Sequence, residues 1–287
     1  LGYLKVVDSE SSYFSLYNSF SINHKISDKL EYKIKTGYNY HSVNTFEQIR
    51  SEGYDTCRNE LFLTASIYSQ ITNKLGLGII SRQEKYDDKY SGFIPSLFTE
   101  YKINEKIKLK SSVARNTKYP NLNELYFTPG GNPELVHEQG WQFETGTVFK
   151  HLNDKVSLQS GFSLFYSKIH DWILWRPTNM GFWQPDNIEL VEAKGFETNL
   201  NLKYKIKTID FNINANYSFT SSINKSQAFG INDNSIGKQL PYIPKHSANL
   251  LFRADYKKYF ITYQWNYYSE RYTGSAAEPG ILVSIYP

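Results

Sequence analysis

Glu84, Asp87 and Asp88 bring three carboxylates into five consecutive positions. Clustered carboxylate oxygens are what calcium requires, but a dedicated calcium loop alternates acid with glycine, and "RQEKYDDKY" contains no glycine. A solvated loop is therefore the simpler reading of these acids. The histidines His24, His41, His137, His151, His170 and His246 show no metal-ligand spacing, neither a pair four apart on a helix nor a Cys-x-x-Cys partner. Cys57 is the single cysteine, so no internal disulfide can form, and it reads as a small loop side chain. "GGNPEL" lacks the glycine offsets and the Lys-Ser/Thr pair of a phosphate cradle. There is no Gly-x-Ser-x-Gly elbow to mark a nucleophile. No catalytic residue, metal or cofactor is assigned, and the chain is not expected to be an enzyme.

Binding is the better-supported chemistry. Tyr86, Tyr90, Tyr126, Phe127 and Trp183 offer rigid, amphipathic contact area, and Arg176 adds hydrogen-bond donors. Such a set suits a large, partly apolar ligand. Each of these residues alone is better explained by loop packing or interfacial anchoring, so the set is what carries the expectation.

The elements that must position these residues are strands. From Phe196, apolar Phe196, Leu200, Leu202, Tyr204 and Ile206 alternate with Glu197, Asn199, Asn201, Lys203 and Lys205. Ile209, Phe211, Ile213, Ala215, Tyr217 and Phe219 then alternate with Asp210, Asn212, Asn214, Asn216 and Ser218. A period of two sustained over this length is a strand signal. About thirteen such runs are expected, many longer than the five or six residues usual in soluble proteins. Aromatic residues make up 16% of the chain, which suits pleated, half-buried surfaces. A net charge of +4, with Lys and Arg spread along the chain, gives no nucleic-acid signal.

The connections alternate in length. Short turns are expected near 24–29, 73–74, 104–105, 153–154, 205–208 and 256–258, and long loops near 41–57, 85–91, 116–140, 171–188, 223–246 and 270–280. In an up-and-down meander the short turns share one end and the long loops the other. Mean hydropathy is −0.52 and no apolar run is long enough for a membrane helix, but a membrane β-barrel needs only every second residue to be apolar. Long strands, one apolar face and asymmetric ends describe a transmembrane antiparallel β-barrel. A soluble β-sandwich would also alternate, but strand length and loop asymmetry argue against it.

Around the tract from Tyr119 to Gly140 the residues resemble TonB-dependent outer-membrane receptors. The likeness is carried by Arg115, Pro120, Glu124-Leu125-Tyr126, Gly131-Asn132-Pro133, Leu135, Glu138, Glu144 and Gly146. "ISRQEKYDDKYSGFIPSLFTEYKI", the Gly195-Phe196-Glu197 strand start and "LPYIPKHSANLLF" are similar to further segments of that family. "DWILWRPTNMGFWQPDNIELVEAKGFE" resembles cobalamin-receptor-like members. The resemblance implies that residues 1–287 are part of one receptor barrel of about 22 strands, with the N-terminal plug, the early strands and the final strands absent. It implies the outer membrane of a Gram-negative bacterium as location, with the surrounding lipid as a partner. The implied function is uptake of a large, scarce nutrient, energised by the TonB complex acting through the missing N-terminal region. A corrinoid is the favoured ligand, and an iron-siderophore or other metal chelate is the alternative. A surface lipoprotein is a further candidate partner, and no nucleic acid is expected. Outside that reading stand a passive porin-like channel and a soluble β-sandwich binding module. Pro120, Pro129, Pro133 and Gly130-Gly131 predict a shaped loop, and a structural role for the motif is slightly favoured over ligand contact.

Overall fold

The computed structural model describes residues 8–178, 180–226, 236–272 and 282–283. The chain runs β1 (Ser9–Ser27), β2 (Leu30–Glu47), β3 (Glu52–Gln70), β4 (Leu75–Tyr86), β5 (Lys89–Tyr90), β6 (Ile94–Lys102) and β7 (Ile107–Lys118). A one-turn helix α1 (Leu122–Tyr126) interrupts the strands, followed by β8 (Glu138–Leu152), β9 (Val156–Pro177), β10 (Trp183–Ile206), β11 (Ile209–Asn224), β12 (His246–Tyr256) and β13 (Tyr259–Tyr268). Two short strands, β14 (Arg271–Tyr272) and β15 (Leu282–Val283), pair separately. The long strands form one antiparallel sheet in which each pairs with its neighbour in sequence, and β5 pairs back onto β4. With β5 the sheet has 13 strands, as the alternation predicts. Among the described residues β1 does not pair with β13, so the sheet is open.

Register carries the period of two across the whole sheet. On one face Leu158 pairs with Leu202, Leu202 with Ile213, Ile213 with Phe252 and Phe252 with Tyr263. On the other face Asn199, Asn216, Asn249 and Asn266 form a rung across β10 to β13, with Asn216 Nδ2 donating to Asn249 Oδ1 at 2.9 Å. The apolar face is uncovered: Leu61, Leu63, Ile67, Ile79, Phe162, Leu164, Ile261 and Tyr263 are all exposed. No second sheet packs on it among the described residues, which removes the β-sandwich reading. On the polar face a large ring can sit where the neighbouring strand supplies a glycine. A Cβ on Gly78 would lie 2.0 Å from the Phe98 ring, which stacks on Tyr68 at 6.1 Å between centroids.

The short turns fall at 28–29, 71–74, 103–106, 153–155, 207–208 and 257–258, all at one end of the sheet. Two of the expected long loops are mostly strand. The tract 41–57 is the end of β2 and the start of β3, joined by a turn at 48–51, and 171–188 is the end of β9 and the start of β10. There the ladder continues past the apolar band and the sequence loses its apolar period, although Val43, Ile173 and Ile188 are buried. The tract 119–137 and residues 225–245 are true connections, the latter described at 225–226 and from 236 onward, while the expected loop at 270–280 lies largely outside the described residues.

Candidate functional site

The long-loop end of the sheet is organised by the segment between β7 and β8. Asn121 caps α1: its Oδ1 accepts from the Glu124 backbone N–H at 2.7 Å, and Glu124 Oε2 accepts from the Asn121 N–H at 2.7 Å. This reciprocal box satisfies donors that a one-turn helix would otherwise leave bare. Asn132 then turns the chain back, its N–H donating to the Glu124 carbonyl at 2.8 Å and its Nδ2 to the Pro185 carbonyl at 3.1 Å. Gly130 adopts φ +142, and a Cβ there would lie 2.1 Å from the Trp183 carbonyl oxygen, so only glycine lets the loop approach β10 this closely. Leu135, 1% exposed, packs with Leu125 and Ile173. Asn187 clasps the chain beside it, accepting from Val136 N–H at 3.1 Å and donating to the carbonyls of Val136 and Asp171 at 3.1 and 2.6 Å.

The base of the loop is held from the polar face of the sheet. Arg58, on β3, donates from Nη1 to the Pro120 carbonyl at 2.6 Å and lies over the Tyr86 ring. Tyr86 stacks on Tyr119 at 3.9 Å, and Tyr119 on His137 at 5.2 Å. Burial, with Glu84 nearby, raises the Tyr119 hydroxyl to about 12, and burial next to Arg115 lowers the His137 imidazole below its ordinary value. Lys118 sits between two buried carboxylates, 2.8 Å from Glu138 and 3.7 Å from Glu124. Glu138 Oε1 also accepts from the Ile173 N–H at 3.1 Å. The tract is therefore a folded part of the wall, packed on its polar side.

Four of the six residues expected to bind ligand gather around this loop. Tyr126 and Phe127 are 40% and 43% exposed at the end of α1. Tyr126 packs against Tyr54 at 6.4 Å, and Phe127 meets Trp175 edge-on at 6.0 Å. Trp183, 43% exposed, offers its carbonyl beside Gly130, and Tyr86 is taken up in the ring stack that holds the loop. Arg176 pairs with Asp186 across the β9–β10 hairpin. Tyr90, 70% exposed on β5, stands apart with Lys85 over its ring. Beside α1 lies a cavity of about 390 Å³ bounded by Tyr13, His41, Tyr54, Arg58 and Glu60. His41 joins Ser15 and Glu60 there at 2.9 and 3.5 Å. Sequence alone does not mark Arg58, Tyr54, His41 or Glu60 as site residues, since they sit in a tract without an apolar period.

The remaining motif residues build strands. Arg115 donates to the Phe93 carbonyl at 2.9 Å and to Gln139 Oε1 at 2.8 Å, tying β7 to its neighbours. Gly146 and Gly195 lie where a Cβ would come within 2.5 Å of the Phe162 carbonyl oxygen and 1.9 Å of the Phe219 carbonyl oxygen. Glu144 pairs with Ser112 and Phe165, and Glu197 with Ser163 and Ser218, all on the polar face. The acids of the 84–88 tract do not converge on a cation site: Glu84 pairs with Arg82, Asp87 accepts from the Asn59 N–H at 2.8 Å, and Asp88 faces Lys85 at 3.7 Å.

This architecture has relatives. Residues 4–282 match the family described as TonB dependent receptor-like, beta-barrel. The vitamin B12 transporter BtuB of Photobacterium profundum is 29% identical over 105 residues, covering 35% of this chain and 17% of the relative. BtuB of Vibrio vulnificus is 30% identical over 95 residues, covering 33% and 15%. The crystal structure of the siderophore receptor PirA from Acinetobacter baumannii superposes with a TM-score of 0.65 at 16% identity, covering 92% of this chain and 43% of that one. The matches thus span under a fifth of the curated relatives and under half of the solved structure. The chain belongs to the TonB-dependent receptor β-barrel family.

Proposed function

We propose that this receptor barrel serves uptake of a large, scarce nutrient across the outer membrane, capturing it at the long-loop end and depending on TonB for energy, with a corrinoid as the ligand. The family consists of outer-membrane transport receptors, not enzymes. The apolar face then meets lipid, the polar face lines the lumen, and the long-loop end is the extracellular mouth. The observation that carries the reading is the loop from Tyr119 to His137, folded onto the lumenal wall with Tyr126 and Phe127 turned half-free near a cavity beside α1. Rigid rings on a fixed loop, next to the hydroxyl, imidazole and guanidinium of Tyr54, His41 and Arg58, fit a ligand with broad apolar faces and a polar rim.

The preference for a corrinoid rests on likeness of sequence to proteins named as vitamin B12 transporters. The solved siderophore receptor shares the fold and no more at its identity. In a strain lacking its own cobalamin receptor, the full-length protein should restore growth on limiting vitamin B12 and not on a ferric siderophore as sole iron source. The reverse result assigns a siderophore. Growth that does not depend on TonB assigns a passive channel.

A further inference from the structure

Ser15, His41 and Arg58 form one rung of the polar face, paired in register across β1, β2 and β3, and Glu60 follows on the same face of β3. All four line the cavity beside α1. Ser15 Oγ lies 2.9 Å from His41 Nδ1, and His41 Nε2 lies 3.5 Å from Glu60 Oε2. A carboxylate can only accept, so the imidazole N–H belongs on the Glu60 side, and Nδ1 is left to accept from the serine hydroxyl. The longer of the two spacings is of the kind that catalytic pairs show before substrate tightens them.

The surroundings hold each group in place. The Tyr17 ring meets His41 edge-on at 5.3 Å, and Asn39 Nδ2 donates to Glu60 Oε2 at 3.1 Å. Ser15 is exposed, so a substrate can reach it, while His41 and Glu60 are half-buried. Arg58 supplies a further donor. It is buried, its Nη1 is committed to the Pro120 carbonyl, and its Nε carries no hydrogen bond, with Asp87 facing it at 3.9 Å. A buried donor without an acceptor is unusual in a folded protein and asks for an explanation. The negative oxygen of a tetrahedral intermediate in this cavity is an acceptor that would satisfy it.

We propose that Ser15, His41 and Glu60 form a serine esterase centre, with Arg58 as the oxyanion donor. Ser15 Oγ bonds to the ester carbonyl carbon as its proton passes to His41 Nδ1, and Glu60 stabilises the imidazolium. The carbon–oxygen bond to the alcohol breaks, and the His41 proton leaves with the alcohol. Water then attacks the acyl group on Ser15, giving a proton to Nδ1, and the broken ester bond returns that proton to the serine. The products are one carboxylic acid and one alcohol. The cavity, about 390 Å³ with Tyr13, Tyr54 and Leu122 in its walls, suits a short acyl chain or a single aromatic ring. This activity is additional to uptake and does not rest on the ligand assigned above.

The full-length receptor in detergent micelles, treated with a fluorophosphonate and mapped by peptide mass, tests it without any substitution: Ser15 should carry the label. The parent should also hydrolyse p-nitrophenyl butyrate, and Ser15→Ala should lower kcat/KM by about a hundredfold or more. Ser21→Ala, on the same face of β1 outside the cavity, should match the parent. Glu60→Gln should lower kcat by about tenfold or more with KM unchanged, and Glu60→Asp should recover part of the loss, while the heat-modifiable gel mobility of the folded barrel stays as in the parent. A parent whose Ser15 takes no label, or hydrolysis equal in the parent and Ser15→Ala, overturns the proposal and leaves the uptake reading intact. Failure to support growth on vitamin B12 withdraws the corrinoid and leaves a labelled Ser15 unexplained by anything but this centre.

Discussion

Arg58 and Pro120, sixty-two positions apart, are joined by a single charge-assisted hydrogen bond of 2.6 Å from the β3 guanidinium to the loop carbonyl. Both residues are buried, so the bond is shielded from competing water. It fixes the entry of the loop against the wall, and the Tyr86–Tyr119–His137 stack continues from it.

Arg58→Ala removes that donor and leaves the Pro120 carbonyl buried without a partner. The loop should lose about 1.5 to 3 kcal/mol of local stability, while the strand ladder is untouched. Hydrogen exchange of amides 121–136 should accelerate by about ten- to a hundredfold, with the heat-modifiable mobility of the barrel unchanged. An unchanged exchange rate shows that the loop's other contacts hold it without this bond.

The assignment of faces predicts an asymmetric arginine scan. Leu202 and Ile213 pair on the apolar face, and Leu200 and Tyr217 share it, while Asn201 and Asn214 pair on the other. An arginine at any of the first four should cost about 2 to 4 kcal/mol near the bilayer midplane, and one at Asn201 or Asn214 should cost little. Reversible folding of the complete barrel into lipid vesicles measures it. Equal costs on both faces contradict the membrane orientation.

His137 gives the loop a pH dependence. Burial and Arg115 favour its neutral form in the folded loop, so the unfolded loop binds a proton more readily. Loop stability is thus complete above the ordinary histidine value of about 6.5 and declines as pH falls through it. Exchange of the loop amides, corrected for intrinsic rates, should rise as pH is lowered from about 7.5 to about 5.5, and His137→Gln should flatten that rise. A slope that survives the substitution belongs to another group.

Much of this was legible in sequence wherever one face meets an apolar phase. Ile209 to Phe219 alternates without a lapse because successive side chains fall on the apolar and the polar face of the sheet in turn. The same logic fails at 41–57 and 171–188, where the strands rise beyond the band and "YDTCRNE" carries no apolar period although it is fully paired. The loop was readable as shaped, from its prolines and glycines, but not what it is shaped against. Nothing local marks Arg58 or Asn187 as its clasps, since both act across more than fifty residues of sequence and look like ordinary polar strand positions. Tyr86 stacks on Tyr119, a partner that only the folded loop brings near.

Tyr126 and Phe127 separate ligand contact from loop packing. The sequence slightly favours a structural role for this motif, and the structure divides the labour within it. Glu124, Leu125 and Leu135 are buried and hold the loop, whereas Tyr126 and Phe127 keep 40% and 43% of their surface free and meet single rings of the wall. Leu135→Ala should therefore loosen the loop by about 2 to 5 kcal/mol, because its side chain leaves a cavity against Leu125 and Ile173. The double substitution Tyr126→Ala, Phe127→Ala should instead leave loop exchange and barrel melting nearly as they were and weaken vitamin B12 binding by about tenfold or more, as the loss of exposed aromatic anchors does. Calorimetric titration of vitamin B12 and thermal unfolding on the same preparation distinguish the two. A melting shift with unchanged affinity returns both rings to the structural role, and places the ligand on the Tyr54–His41–Arg58 side of the mouth.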